Sequence, residues 1–304
     1  MFWVLCFLAV VAAWPFLAER ARRPMTTMLQ SRAPGEMAAL PQGATHYRWA
    51  GNTDGPVVVC IHGVSTPSFI FAATERTLVA LGYRVLMYDL YGRGFSDRAR
   101  GAQTVPFFLN QLAALLEHQA VNGSITLLGF SMGGQIATAF AARDERVERL
   151  ILVAPSGLAD TAGVEPGWIW RAPVIGDWMM RVFGGVMLRS ELIEHKSMAT
   201  VIPDFEDRQA AETRMRGYLP AILSSRRHTL DQPDVEAHRL VAERRLPVLA
   251  IWGTLDPVIP KRAISGLSRL NPAARHVEIK DAGHTLLQTH PSDVGAALTE
   301  FLDA

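Results

Sequence analysis

From residue 45 onward the chain alternates between short apolar runs and longer stretches with apolar positions at helical spacing. Residues 45–49, 57–61, 84–88, 125–128, 150–153, 247–252 and 275–279 read as strands. The run Val57-Val58-Val59-Cys60-Ile61 is apolar throughout and rich in β-branched residues, as strands covered on both faces are. Residues 69–81, 105–119, 132–142, 261–269 and 291–302 read as helices. In the last of these Val294, Ala297, Leu298 and Phe301 repeat at i, i+3, i+4 and i+7. Strands alternating with helices predict an α/β fold whose mostly parallel sheet has helices on both faces. The alternation breaks at Ser156 and resumes after Arg245. The expected division is a core of 45–155 and 246–304, with 156–245 inserted over the carboxyl ends of the strands.

The first residues follow another pattern. Residues 2–18 carry no charge, and Glu19-Arg20-Ala21-Arg22-Arg23 follows at once. Segment 1–23 is expected to be a membrane anchor or signal-like segment. The apolar run is at the short end of a spanning helix, for which about 20 residues are typical. Trp3 and Trp14 suit membrane interfaces, Pro15 is expected to interrupt the last turn, and the arginines favour a cytoplasmic catalytic domain. The alternative is cleavage near Val11-Ala12-Ala13, which would leave a secreted or periplasmic protein. Residues 24–44, rich in Pro, Gly, Met and Ala, read as a linker.

Composition narrows the classes. The chain has 304 residues, 49% of them hydrophobic and 19% charged, which suits a globular protein with a sizeable core. Thirty basic residues face 29 acidic ones, without the basic stripe of a nucleic-acid binder. Cys6 and Cys60, in the N-terminal run and a core strand, are not expected to pair. No Cys/His cluster has zinc spacing, so neither metal nor cofactor is expected.

Candidate chemistry centres on Gly129-Phe130-Ser131-Met132-Gly133, between the strand at 125–128 and the helix at 132–142. Strand, sharp turn and helix in that order lift a serine hydroxyl to the sheet edge. The turn needs small neighbours, which Gly129, Gly133 and Gly134 supply. A serine nucleophile needs a base, and the base an orienting acid. Asp256 and His284 each follow a strand, in the order Ser, Asp, His of a nucleophile-elbow hydrolase. Asp231 and Asp234 are the reserve acids, and Asp281 reads as shaping its loop. The remaining histidines, His290 among them, lie outside the favoured loops. For an oxyanion, the backbone N–H of Met132 and that of Val64, in His62-Gly63-Val64-Ser65, are the expected donors. The His62 ring is expected to shape that loop.

These motifs, with Asp89-Leu90-Tyr91-Gly92-Arg93-Gly94-Phe95-Ser96-Asp97, Gly253-Thr254-Leu255-Asp256 and Gly283-His284, resemble the α/β-hydrolase superfamily over nearly everything after the linker. Within it the chain resembles the monoacylglycerol lipase and carboxylesterase branch. The resemblance implies an eight-stranded sheet, a helical cap after the sixth strand, a structural role for the turn at 89–97, and hydrolysis of carboxylic esters. The insertion carries Trp168, Trp170, Trp178, Met179, Met180, Val182, Phe183, Met187 and Leu188. Large apolar residues more often form core; those left exposed would wall an acyl pocket, with Trp168, Trp178, Met179 and Phe183 as candidates. The expected partner is a lipophilic small-molecule ester, with no nucleic acid. Two other readings stay open: hydrolysis of a carbon–carbon bond in ring-cleavage diketones, and a non-catalytic membrane-associated binding protein.

Overall fold

The structure, a computed structural model, describes residues 1–158, 170–195 and 200–303. Eight strands form one sheet: β1 (Glu36–Leu40), β2 (Gly43–Ala50), β3 (Val57–Ile61), β4 (Arg84–Tyr88), β5 (Ile125–Phe130), β6 (Val147–Val153), β7 (Val248–Gly253) and β8 (Arg275–Ile279). Their spatial order is β1-β2-β4-β3-β5-β6-β7-β8. β2 runs antiparallel to both β1 and β4, and every other neighbouring pair is parallel. Every residue of β5 and β7 is buried, as their unbroken apolar runs require.

The strand β1 lies within the segment expected to be a linker. Four of its five residues are apolar, but none is β-branched or aromatic, so the run does not announce a strand. It is held by register, from Glu36 opposite Tyr47 to Leu40 opposite Gly43, and by the Tyr47 hydroxyl donating to Glu36 at 2.8 Å.

Helices α1 (Phe2–Ala21) and α2 (Thr27–Gln30) precede the sheet. Helices α3 (Ala72–Ala80), α4 (Val105–His118) and α5 (Met132–Ala141) alternate with its strands. Thr104 caps α4 by accepting from the Phe107 N–H, and Pro106 sits in the first turn, where its missing N–H costs nothing. Between β6 and β7 lie α6 (Ile175–His195), α7 (Phe205–Glu212), α8 (Tyr218–Ser225) and α9 (Val235–Glu243). Helices α10 (Arg262–Leu270), α11 (Leu286–Thr289) and α12 (Pro291–Leu302) complete the chain. The inserted helices have their own small core of Met180, Leu188, Tyr218, Leu219, Ile222 and Leu223.

Polar latches join insertion to core. Fully buried Arg93 donates to Ser225 Oγ at 2.7 Å, Thr229 Oγ1 donates to the Gln103 carbonyl at 2.6 Å, and Gln135 Nε2 donates to the carbonyls of Thr229 and Gln232.

Helix α1 runs unbroken through Pro15, against the expected interruption. Proline lacks the N–H that would bond the Val11 carbonyl four residues back. The Trp178 indole N–H, on α6, donates to that carbonyl at 2.7 Å. At the foot of α1, Glu19 accepts from the Gly217 N–H at 2.5 Å, and Arg22 donates to the carbonyls of Thr213 and Arg181. Arg23 bridges to the strip 214–216 by two backbone hydrogen bonds. Helix α1 is otherwise largely exposed; taken whole, Phe2–Ala21, with a mean hydropathy of 2.0, is long and apolar enough to cross a membrane by length and composition.

Candidate active site

The turn at Ser131 is built by steric exclusion. Ser131 has φ +53° and ψ −119°, a conformation that costs a non-glycine residue of order 1–3 kcal/mol. The surroundings hold it there: the Ser131 N–H donates to the Val153 carbonyl at 2.9 Å, and its carbonyl accepts from Gly134 and Ser156. A Cβ on Gly133 would lie 1.9 Å from the Ile61 carbonyl oxygen, and one on Gly129 would lie 2.3 Å from that of Gly133. Only glycine allows these approaches.

Three loops at the carboxyl edge of the sheet deliver the side chains. His284 Nε2 lies 3.0 Å from Ser131 Oγ, and His284 Nδ1 lies 2.9 Å from Asp256 Oδ2. The other oxygen of Asp256 accepts from the N–H groups of Val258 and Ile259 at 2.7 and 2.9 Å. The Asp256 side chain is only 2% exposed, so those donors and the imidazole replace its hydration. The ring of Phe130 lies beside that of His284, with centroids 5.2 Å apart. The turn residue Gly253 has no room for a Cβ, which would meet the Ala282 carbonyl at 2.4 Å; the Asp256 and His284 loops therefore touch through backbone.

The reserve acids lie elsewhere. Asp231 pairs with Arg171, and Asp234 caps α9 through the Ala237 N–H. Asp281 takes a left-handed backbone conformation and its N–H donates to Thr254 Oγ1, which is the loop-shaping expected of it.

The loop after β3 is also fixed. His62 Nδ1 lies 2.8 Å from the Gly63 carbonyl, and His62 Nε2 accepts from the Leu90 N–H at 2.9 Å. With Nε2 an acceptor, the proton sits on Nδ1 and the ring is neutral. Burial lowers its pKa to about 4, against the opposing pull of Asp89. A trans peptide points its N–H opposite its carbonyl, so clamping the Gly63 carbonyl aims the Val64 N–H away from His62. A Cβ on Gly63 would lie 3.3 Å from Ser131 Cβ, so this turn passes directly against the serine. Arg93 Nε holds the Val64 carbonyl at 2.9 Å, and the Tyr218 hydroxyl, from α8, donates to the Ser65 carbonyl at 2.7 Å.

The turn at 89–97 is structural. Asp89 accepts from His46, from the Phe95 N–H, and from both the N–H and hydroxyl of Ser68. Its burial opposes ionisation, yet these donors and the neighbouring His46 hold the carboxyl well below its usual range. Asp97 accepts from the Ala44 N–H and Gln30. Among the described residues no three His, Cys, Asp or Glu side chains are grouped to hold a metal ion, and Cys6 and Cys60 are both free thiols.

Trp178, expected on an acyl pocket, is engaged with α1, and Phe183 beside it is 48% exposed, their rings 5.7 Å apart. Met179 is half-buried on the same helix, and Trp168 lies outside the described residues. Met180 and Leu188 belong to the cap's core. Arg93 and Tyr218 were missed as supports of the loop after β3. Arginine between two glycines was a visible signal; nothing local marked Tyr218.

Comparison with known proteins follows this geometry. Residues 56–291 match the family described as having the alpha/beta hydrolase fold. The chain is 25% identical over 303 residues to the cis-3-alkyl-4-alkyloxetan-2-one decarboxylase of Xanthomonas campestris, covering 92% of this chain and 99% of the relative. It is 26% identical over 241 residues to the pimeloyl-[acyl-carrier protein] methyl ester esterase of Aeromonas salmonicida, covering 78% and 91%. Among solved structures, the enol-lactonase from Burkholderia xenovorans LB400 superposes with a TM-score of 0.70 at 23% identity, covering 88% of this chain and all of that one.

Proposed function

Because the chain belongs to the α/β-hydrolase fold family, we propose that it is a serine hydrolase of carboxylic esters, working through an acyl-enzyme on Ser131. The observation that carries this reading is the relay of Ser131 Oγ, His284 and Asp256, at 3.0 and 2.9 Å, on a strained turn at the sheet edge. His284 Nε2 takes the serine proton as Oγ bonds to the ester carbonyl carbon. The carbonyl π electrons move to oxygen, and the N–H groups of Met132 and Val64 receive that charge. Collapse of the intermediate breaks the carbon–oxygen bond, and His284 returns the proton to the leaving alcohol. Water then attacks the acyl-enzyme by the same route, releasing the acid and restoring the serine hydroxyl. Asp256, fixed by Val258 and Ile259, keeps the imidazole proton on Nδ1 and stabilises the cation.

The substrate is a lipophilic ester. The esterase relative supports an ester bond, and the exposed apolar helix α1 supports attachment to a membrane, where such esters partition. The similarity to an oxetan-2-one decarboxylase places cyclic esters in the same screen, with product analysis separating ring opening to the hydroxy acid from loss of carbon dioxide.

The test is Ser131→Ala in the full chain, assayed on p-nitrophenyl esters of increasing length. Turnover is expected to fall by about 10⁴-fold or more, with loss of fluorophosphonate labelling at Ser131. A variant that turns over at the parent rate defeats the assignment. A parent that cleaves ring-cleavage diketones but no ester moves it to the carbon–carbon reading. A parent that leaves the probe unreacted makes this a binding protein.

A further inference from the structure

Helix α1 is an apolar rod with one polar-tolerant stripe. Val11, Pro15, Ala18, Glu19 and Arg22 are the positions drawn in against the cap, spaced along one face, and Pro15 is fully buried. From Phe2 to Val10 every residue except Cys6 is exposed. The same apolar exposure continues on the cap, where Val174, Ile175, Phe183 and Val186 are 48–78% exposed.

The contacts fix how the two helices lie. Trp178 meets Val11, Arg181 stands 5.4 Å from the Phe16 ring, and the Arg181 carbonyl meets Arg22. Moving toward the carboxyl end of α6 thus moves toward the carboxyl end of α1. Asp177 and Arg181 are therefore level with Val11 to Phe16, and Arg227 joins them by donating to Asp177 at 2.7 Å. A charged trio at that height belongs in headgroups and water, since ions at the centre of a bilayer are costly. The part of α1 that stands clear of the described residues of the cap, residues 2–10, is about 13 Å long at 1.5 Å per residue. That is half or less of a hydrocarbon core about 30 Å thick.

Resting on the membrane attachment proposed above, we infer that α1 enters one leaflet of a lipid bilayer without crossing it, and that α1 and the exposed start of α6, at Val174 and Ile175, form one lipid-facing surface. The docking is specific. Pro15 orphans the Val11 carbonyl, and the Trp178 indole satisfies it, so the cap completes the helix just where it would enter the bilayer. The cap is thereby seated on the membrane itself, and substrate reaches the site from the leaflet in which it is dissolved.

The test uses the full chain in a Cys6→Ser background, where the remaining thiol, Cys60, is fully buried. Phe2→Cys is reconstituted into vesicles of phosphatidylcholine and phosphatidylglycerol. A membrane-impermeant maleimide is supplied outside or trapped inside. The expected result is that protein floats with vesicles and position 2 reacts from neither side beyond about a tenth of its level in detergent. Labelling from the lumen at the detergent level means that α1 crosses; this inference then falls and attachment stands. Labelling from outside on floating protein means residue 2 is not immersed, and the inference falls likewise. Protein that does not float ends both readings. Ile175→Cys carrying an environment-sensitive dye reports on the start of α6: a blue shift on binding, quenched by doxyl-labelled lipid, is expected. An unshifted dye on vesicle-bound protein removes α6 from the surface.

Discussion

The turn around Ser131 and the clasp between α1 and the cap hold chain segments together by opposite means. The turn is made of backbone approaches so close that glycine alone fits, and its partners are a few residues apart or in adjacent strands. The clasp is made of side chains reaching carbonyls and N–H groups, with partners such as Glu19 and Gly217 separated by 198 positions. A turn that must hold Ser131 in a strained geometry is set by hard contacts that cannot relax. A cap that joins α1 to the sheet domain is set by directional bonds, each worth about 1 kcal/mol, which can be remade one at a time.

The sharpest way to break the first region is Gly133→Ala. The added methyl would stand 1.9 Å from the Ile61 carbonyl oxygen, so β3 or α5 must move. We expect a loss of about 3 kcal/mol or more, within the range for severe core strain, read as a lower denaturation midpoint and as absent fluorophosphonate labelling. A variant with parental stability would mean the turn is softer than the contacts imply.

The cap's hold on the core, which continues the clasp from α1, yields a smaller effect. Tyr218→Phe deletes the hydroxyl that holds the Ser65 carbonyl and so loosens the loop carrying Val64. A stability loss of about 1 kcal/mol is expected, together with a fall in kcat that exceeds any change in KM. A rise in KM with kcat unchanged would assign the tyrosine to substrate binding.

Glu212 gives the mildest test and concerns the joint between the two regions. Its carboxylate accepts from the Gly94 N–H, and burial pushes its pKa from 4.5 up to about 7, against the opposing charge of Arg98. The native state therefore keeps a proton that the unfolded chain releases between pH 4.5 and about 7, and stability from this group declines as pH rises through that window. Glu212→Gln should flatten the decline in urea midpoints measured from pH 5 to 7. An unchanged slope would place the source elsewhere.

What could be read from the chain follows the same division. The parallel strands, the serine turn and the loops of Asp256 and His284 were legible because a local pattern dictates them: apolar runs, glycine spacing, and a loop after each strand. Strand β1 was hidden because none of its residues is β-branched or aromatic. The bond of Trp178 to α1 was not legible because a large apolar residue announces burial without naming its partner. The partner was encoded by Pro15, whose missing N–H frees the Val11 carbonyl, yet only three-dimensional proximity joins the two. Tyr218 and Arg93 act on the loop at Val64 from 153 and 29 positions away, distances over which periodicity says nothing.

The grip of Glu19 on Gly217 bears on how the enzyme is prepared. Gly217 immediately precedes Tyr218, whose hydroxyl steadies Ser65 next to the Val64 amide. Trimming residues 1–23 to ease purification thus cuts a mechanical tie that ends beside the Val64 amide. A shortened protein and the intact one are expected to differ in rate, and the difference measures slack in that tie.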